Sequence, residues 1–214
     1  MSVIDVALFP IPGSVTFPGV PCPLHVFEPR YRQMVRYCME NTVPLGICHT
    51  EKLLHANDRE QTREEALNSN QDTYKPHEIF SAGPVRLLDE MDDGRLMVSV
   101  ETDTRLVLAE EKQTLPFAVW SCEELADNVL EPHQEEEICL WREKIIKRLL
   151  AVTHGHEAVQ EHLRSNYWQE LSHQQFGFAV AGRLGMDPET AQALLGTTDT
   201  AYRLSTLLEM LNRT

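Results

Sequence analysis

Three residues near the N-terminus, Cys22, His25 and Glu28, are of the types that hydrolases with a thiol nucleophile combine. An imidazole base activates a thiol when a third group orients the ring. An imidazole at the base of a pocket, within about 3.2 Å of a thiol or carboxylate, would support an amide hydrolase. An imidazole buried against the backbone would exclude it. We expect no catalytic residue, and we keep a small hydrolase at these residues as the alternative.

Short spacings of histidine and cysteine are a second kind of candidate site, here for a metal ion. The candidates are Cys22 with His25, Cys48 with His49, and His154 with His156 and His162. Zinc sites usually combine two paired sets of ligands, and neighbouring residues in the sequence complete none of these groups. We therefore expect no metal ion and no other cofactor.

Charge and composition exclude several classes of protein. The chain of 214 residues has a formal net charge of −14, and its 19 basic residues form no cluster that could follow a phosphate backbone. No apolar run approaches the ~18 residues that span a bilayer. The five cysteines and an N-terminus without a basic region favour reduced thiols in the cytoplasm. We expect neither a nucleic-acid partner nor a membrane.

A proline-rich segment from Leu8 to Val35 must position the first group of residues. It contains six prolines, yet it is also rich in Phe, Val and Leu. Each proline fixes φ and removes a backbone donor, and the residue before it is pushed toward extended geometry. We therefore predict short strands over Val3–Phe27, bent around a barrel core. Pro29 suits a first helical turn, which predicts a helix over Pro29–Glu40.

Further strands are predicted from apolar runs and turn residues. They cover 43–50, 78–90, 95–100, 104–111 and 117–124. Asp92-Asp93-Gly94 predicts a hairpin turn, because glycine adopts positive φ at low cost. The polar segment 51–77 is expected to be a mobile excursion with a short helix near 62–67. Together the strands predict a small barrel that is closed or nearly closed.

Helical periodicity takes over after residue 130. Its first apolar stripe consists of Ile138, Trp141, Ile145 and Leu149. Later helices are predicted over 157–168, after an N-cap at Ser172, from Asp187-Pro188 to Gly196, and after Thr198 or Asp199. We therefore predict a barrel subdomain over 1–130 and a helical subdomain over 131–214.

The segment Leu8–Val35 resembles the opening of the Lon N-terminal, or substrate-binding, domain, whose pattern runs LPLFPL…LFPG…LPLHIFEPRYRxMV. Weaker landmarks follow at Val43–Ile47, Asp93–Leu96 and Thr104–Leu106. Two features depart from the family: 51–77 is longer and more polar than usual, and polar residues near Asp103 replace a usual glycine. The resemblance implies an α+β fold, in which a PUA-like antiparallel β-barrel with one helix precedes an α-helical bundle.

The resemblance also implies a function. In Lon this domain helps to capture unfolded or tagged protein substrates, whereas ATP hydrolysis and peptide cleavage belong to other domains. This sequence contains no Gly-x-x-x-x-Gly-Lys-Ser/Thr loop and no counterpart of the Ser-Lys peptidase domain. We expect a non-catalytic module that binds exposed apolar segments of unfolded or tagged proteins, or a partner protein. A homodimer through the helical face stays open.

The expected binding surface is an apolar groove where the barrel meets its helix, or a strand edge that accepts an extended peptide. Its candidate wall residues are Phe17, Val20, Leu24, Phe27 and Tyr31. Other motif residues are expected to hold the backbone: Pro18, Gly19, His25, Glu28, Pro29 and Arg30. For His25 we expect a ring hydrogen bond to a backbone carbonyl. Glu28 and Arg30 are expected to pair with each other or with Tyr31.

Overall fold

The computed structural model describes residues 3–55 and 73–213, with backbone only at 52–55 and 73. The predicted helix near 62–67 and most of the predicted mobile excursion over 51–77 therefore lie outside the described residues. Contacts divide the chain into two units. The barrel unit is Met1–Leu125 with Met186–Gly196, and the helical unit is Ala126–Gly185 with Thr197–Thr214.

The described strands all lie in the barrel unit. They are β1 (Val3–Pro10), β2 (Pro21–Val26), β3 (Leu45–Cys48), β4 (Thr50–His55), β5 (Thr73–Pro76), β6 (Ile79–Gly83), β7 (Val85–Glu90), β8 (Leu96–Glu101), β9 (Thr104–Gln113) and β10 (Ala118–Glu124). A closed barrel has the order β1-β10-β9-β6-β3, a second sheet has the order β2-β8-β7, and β4 pairs with β5. The predicted α+β class with a barrel is confirmed.

One pairing in the barrel is parallel. β1 and β3 run in the same direction, with Ala7 opposite Leu45 and Phe9 opposite Ile47. Parallel neighbours need a crossover connection, and here that connection contains β2 and the helix α1 (Pro29–Asn41). The helix predicted over Pro29–Glu40 is confirmed, and it lies in the connection between these two parallel strands. The other barrel pairings are antiparallel.

The predicted strand over 78–90 is wrong, because the structure contains two strands in different sheets. β6 ends at Gly83 and β7 begins at Val85, with Pro84 between them. Proline cannot donate to a strand ladder. A Cβ at Gly83 would lie 2.0 Å from the backbone oxygen of Glu101, so the chain approaches its neighbour closely here. The predicted hairpin turn is confirmed, since β7 pairs with β8 and Gly94 has a φ of 80°.

Two clusters of buried apolar side chains fill the barrel unit. The larger cluster joins α1 to the strands through Met34, Leu45 and Val98, each fully buried. The smaller cluster includes Phe80 and Leu106. Burying such a side chain contributes about 1.5–3 kcal/mol. The barrel unit is therefore held together mainly by hydrophobic packing.

The described helices after α1 are α2 (Pro132–Val152), α3 (Glu157–Arg164), α4 (Tyr167–Glu170), α5 (His173–Ala181), α6 (Pro188–Gly196) and α7 (Thr200–Arg213). The contacts place α6 in the barrel unit, whereas the predicted boundary at 130/131 assigns it to the helices. The Gln192 amide donates to the Ile79 carbonyl at 2.8 Å. The buried Arg105 guanidinium donates to the Leu195 carbonyl at 2.6 Å. These bonds hold α6 to the barrel.

The remaining helices form the helical unit. The predicted helix over 157–168 is divided into α3 and α4, because Ser165 has extended backbone angles (φ −69°, ψ 159°). The N-cap predicted at Ser172 is confirmed. The Gln175 backbone N–H donates to the Ser172 hydroxyl at 3.2 Å, and the Gln175 side chain accepts from the Ser172 N–H at 2.9 Å. Within the described ranges, no helix combines the length and apolar character needed to cross a membrane.

A buried ion pair lies inside the helical unit. Asp127 and Arg203 are 2.6 Å apart, and their side chains are 7% and 0% exposed. The Arg203 guanidinium also donates to the Thr197 carbonyl and lies 4.2 Å from the centroid of the Phe178 ring. The Thr200 hydroxyl donates to the Asp127 carboxylate at 2.5 Å. Removing one partner of such a pair leaves an uncompensated buried charge, which is strongly destabilising.

Candidate peptide-binding groove

The Pro18-Gly19 dipeptide forms a tight turn that fixes the start of β2. The Val20 N–H donates to the Phe17 carbonyl at 3.1 Å, and Gly19 has a φ of 81°. A turn with proline second and a residue of positive φ third is of type II, which favours glycine there. The Thr102 hydroxyl lies 3.0 and 2.8 Å from the carbonyl oxygens of Phe17 and Val20. The turn is therefore tied to the loop between β8 and β9.

Strand β2 presents alternate residues to opposite sides. Cys22 and Leu24 pack against the barrel core, whereas Pro21, Pro23 and His25 are exposed. Among the described strands β2 has one neighbour, β8, so its other edge is unpaired. Prolines without an N–H protect such an edge against strand addition. A peptide that adds as a strand is therefore disfavoured at β2.

The corner between β2 and α1 is held by an ion pair and an aromatic stack. Arg30 lies 3.0 Å from the Glu28 carboxylate, and both side chains are largely buried. The Arg30 guanidinium also lies 4.6 Å from the centroid of the Tyr31 ring, which contacts Phe9 at 4.0 Å between centroids. Burial, more than any neighbouring charge, raises the pKa of Tyr31 to about 12. The corner is thus held by several side-chain contacts, and its charges are compensated locally.

Two adjoining cavities of about 370 and 360 Å³ open at this corner. We call them together the barrel groove. Both are lined by Pro10, Arg30, Tyr31 and Tyr74. The first also has Phe9, Ile11, Pro12, Leu24, His25, Phe27 and Glu28 in its wall. The second continues past Lys75, Glu111, Leu115, Phe117 and Trp120. The walls are mainly aromatic and aliphatic, with a few polar groups.

Three of the five predicted wall residues line the barrel groove. Leu24, Phe27 and Tyr31 all border the first cavity. Phe17 does not line it, because its side chain is 2% exposed and packed in the interior. Val20 lies in the Pro18-Gly19 turn and also lines neither of the two cavities.

His25 also differs from expectation. Its side chain is exposed and borders the first cavity, where its ring lies 6.2 Å from that of Phe27. The expected ring hydrogen bond to a backbone carbonyl is not among the described bonds, because β2 directs residue 25 away from the barrel core. The ion pair expected between Glu28 and Arg30 is present.

Some groove residues were not among the predictions. Phe9 and Ile11 belong to the same proline-rich segment, so their apolar character was an available signal. Tyr74 lies in the polar segment 51–77, and the sequence signal for a groove residue there is an aromatic side chain two positions before Pro76. Leu115 is 81% exposed at the rim of the second cavity. These residues come from distant parts of the chain, so only the tertiary fold brings them together.

The residues of the alternative hydrolase do not form a catalytic group. Cys22 and His25 lie on opposite sides of β2, because side chains alternate along a strand. Burial raises the pKa of the Cys22 thiol, whereas a nucleophilic cysteine needs a lowered one. Glu28 is paired with Arg30 instead of orienting an imidazole. This arrangement does not support thiol hydrolysis.

A different cluster, His49, His77 and Glu189, brings three potential metal-ligand atoms within 4.8 Å of one another. The two imidazole rings are stacked with centroids 4.9 Å apart. The Gly13 backbone N–H donates to His49 Nδ1 at 3.0 Å, so Nδ1 carries no proton. The neutral ring must then carry its proton on Nε2, which lies 3.6 Å from the Glu189 carboxylate. A metal on Nε2 would have to displace that proton, so this geometry opposes metal ligation.

Known protein families and structures match this chain over nearly its whole length. The family described as ATP-dependent protease La (LON) substrate-binding domain matches residues 5–213. The N-terminal domain of the Mycobacterium avium complex Lon protease is similar in structure, with a TM-score of 0.68 and 15% identity. The match covers 97% of this chain and 98% of that one.

A second similar structure is a Lon N-terminal domain protein from Xanthomonas campestris. Its TM-score is 0.57 at 20% identity, and the match covers 98% of each chain. Similarity at these identities establishes the shared fold, while the family match rests on the sequence itself.

Proposed function

Because the chain belongs to the family of LON substrate-binding domains, we propose that it captures apolar segments of other proteins in the barrel groove without cutting them. The observation that carries the proposal is the groove itself. Its walls combine Phe9, Leu24, Phe27 and Tyr31 at the corner between β2 and α1. Rigid aromatic side chains supply contact area at a low entropic cost.

The size of the groove favours a peptide over a small molecule. Each cavity lies toward the small end of the range for ligand pockets, which is about 300–1,000 Å³. Two such cavities side by side suit neighbouring side chains of one extended chain. The proline-blunted edge of β2 argues that side chains entering the cavities, and not backbone pairing at this strand, provide the affinity.

The charges of the groove fit an uncharged occupant. Glu28 and Arg30 neutralise each other at 3.0 Å within the wall. The second cavity adds one further charge of each sign, Lys75 and Glu111, and Lys75 is paired with Glu51. An apolar segment in the first cavity therefore does not have to compensate a charge on binding, and salt has little to screen there. Exposed apolar segments are typical of unfolded proteins, which are the partners that we infer. A tagged protein or a folded partner would present the same chemistry.

The remaining parts of the proposal concern chemistry and location. The separation of Cys22 from His25 supports binding without hydrolysis. All five cysteines are free in the structure, and Cys38, Cys48 and Cys122 are buried. Free thiols fit a reducing compartment, so we infer a cytoplasmic protein.

Isothermal titration calorimetry of the full chain with a panel of apolar peptides and reduced, unfolded proteins tests this function. Leu115→Glu places a charge at the groove rim and is expected to weaken binding by about tenfold. The control is Val129→Glu, since Val129 is 94% exposed and does not line the groove. Absence of heat with every peptide, or equal affinity for both variants, would contradict the proposal. Release of peptide fragments would contradict its non-catalytic part.

A further inference from the structure

The helical unit contains a cavity of its own, of about 620 Å³. We call it the helical cavity. Its apolar wall comes from four helices, α2 to α5, and consists of Ile146, Leu150, Leu163, Trp168 and Phe176. It belongs to a different unit from the barrel groove and shares no residue with it. A cavity of this volume is within the range of ligand pockets in proteins.

The helical cavity lies along one face of α2. The α2 residues that line it run from Cys139 to Leu150 at spacings of three and four, a stretch of about 16 Å. Another face of the same helix carries Ile138 and Ile145, which are fully buried. Helix α2 therefore has one apolar face that is covered and a second, open face on which the partly exposed Ile146 and Leu150 lie among charged residues. The length of the open face matches about three turns of another helix.

The residues that line this cavity carry a net positive charge, whereas the protein as a whole carries a net negative charge. Arg142, Lys147 and Arg164 line it together with one acidic residue, Glu143. The full chain has a net charge of −14. A concentration of positive charge beside an apolar wall favours an occupant that is apolar on one side and acidic at its edges.

Arg142 is held in place by uncharged partners. Its guanidinium donates to the Trp168 carbonyl at 2.7 Å, lies 2.9 Å from His173 Nδ1 and stacks over the Phe176 ring at 4.5 Å. The described ion pairs include no carboxylate within 4.0 Å of this guanidinium. Its charge is therefore positioned in advance but not compensated, which favours an incoming carboxylate.

We propose that the helical cavity binds an amphipathic helix of a partner protein, with the apolar stripe of that helix flanked by acidic side chains. The apolar stripe contacts the partly exposed Ile146 and Leu150, and the acidic flanks meet Lys147 and Arg164. This is the helix-in-groove mode of recognition. It differs from the proposed capture of unfolded segments in its site, in its dependence on charge and in requiring a folded ligand.

The test uses the full chain and two synthetic peptides of about sixteen residues, long enough for four helical turns. Both carry the same apolar stripe at positions i, i+3, i+4 and i+7. One has glutamate on its flanks, and the other has lysine at the same positions. We expect the glutamate peptide to bind at least about tenfold more tightly, with an affinity that falls as salt rises. Equal affinities for the two peptides would overturn the proposal.

Charge-reversal variants locate the site. The double variant Lys147→Glu with Arg164→Glu is expected to lose the preference for the glutamate peptide or to reverse it. The control, Lys144→Glu with Arg213→Glu, changes the net charge equally at exposed positions outside the cavity. If the reversed pair unfolds, Lys147→Gln with Arg164→Gln provides the same test with a smaller perturbation. Unchanged preference in a folded variant would exclude this cavity.

Cys139 offers an independent readout, because it is the exposed cysteine and it lines the helical cavity. We expect the glutamate peptide to slow alkylation of Cys139, and the lysine peptide to have little effect. Protection by a small aromatic carboxylate but by neither peptide would identify a small-molecule site and overturn the proposal. Self-association that the reversed pair abolishes would also overturn it, in favour of a second copy. Leu115→Glu should leave all these results unchanged, which separates them from the barrel groove.

Discussion

The barrel groove and the helical cavity are both lined by apolar side chains, but their charges are arranged differently. In the barrel groove Arg30 is paired with Glu28 at 3.0 Å. In the helical cavity Arg142 is held by a carbonyl and an imidazole, and Lys147 and Arg164 add further positive charge. The first surface therefore suits apolar chains in general, whereas the second selects for acidic partners. Apolar area provides binding energy, and uncompensated charge provides selectivity.

Both units have an apolar interior, with Phe176, Leu204 and Leu207 buried in the helical unit, but the helical unit also encloses an ion pair. The barrel unit depends on clusters of buried aliphatic and aromatic side chains. The helical unit contains the Asp127–Arg203 pair, whose arginine side chain is completely buried. A polar network of this kind is sensitive to the loss of one member, whereas a hydrophobic core is sensitive to changes in volume.

The largest expected effect is on the buried pair of the helical unit. Asp127→Ala leaves Arg203 without its carboxylate and is expected to cost about 3–5 kcal/mol of unfolding free energy. The exposed pair Arg36–Glu90, with side chains 54% and 45% exposed, is the control. Glu90→Gln should cost at most about 1 kcal/mol. Urea denaturation measures both, and a loss below about 1 kcal/mol for Asp127→Ala would contradict this account of the helical unit.

A change of volume should affect the barrel unit next most strongly. A Cβ at Gly83 would lie 2.0 Å from the Glu101 backbone oxygen, so Gly83→Ala forces the end of β6 away from the end of β8. We expect a loss of about 1–3 kcal/mol in urea denaturation. Gly185→Ala is the matched control, because no atom lies within 4 Å of a Cβ at that position. Equal stability of the two variants would show that the barrel can relax at Gly83.

Salt should distinguish the two binding surfaces. Between about 50 and 500 mM salt, the screening length of charges falls severalfold. We expect affinity for an uncharged apolar peptide in the barrel groove to stay within about twofold. The glutamate-flanked helix in the helical cavity should weaken by about tenfold. Calorimetry at several salt concentrations measures both, and parallel salt dependences would remove the distinction between the surfaces.

The smallest expected effect is a pH dependence in the helical unit. Burial, and then the Arg142 guanidinium, lower the pKa of His173 below its ordinary value of 6.5. The unfolded chain therefore binds more protons than the folded protein below about pH 6.5, and stability falls as the pH decreases there. His173→Gln should reduce this fall in the urea midpoint. The control is His154→Gln, at an exposed histidine of the same unit, which should follow the wild type.

Features that depend on neighbouring residues were predictable. The turn at Gly94, the start of α1 at Pro29 and the N-cap at Ser172 are all present as expected. Each follows from a local preference of glycine, proline or serine for particular backbone angles or hydrogen bonds. Part of the candidate site was predictable for the same reason, because Leu24, Phe27 and Tyr31 surround a helix start that the sequence marks.

Features that depend on distant contacts were not predictable. Phe17 and Phe27 are chemically identical, yet Phe17 is buried and Phe27 borders the barrel groove. The difference arises because Thr102 holds the turn that contains Phe17. The helical cavity was missed because Ile146 and Leu150 look like part of an ordinary amphipathic helix. Nothing in the sequence distinguishes an apolar face that is covered from one that is left open.

The sequence by itself determined the family and the fold class through the resemblance carried by Leu8–Val35. It also determined the positions of turns and helix starts, since these follow from backbone preferences over a few residues. The tertiary structure alone decided that β1 lies parallel to β3, that α6 belongs with the barrel and that two cavities differ in how their charges are compensated. Those features depend on groups far apart in the chain, such as Arg105 with Leu195 and Arg142 with Trp168 and His173. Folding brings such groups together through the packing of whole elements, which local preference does not encode.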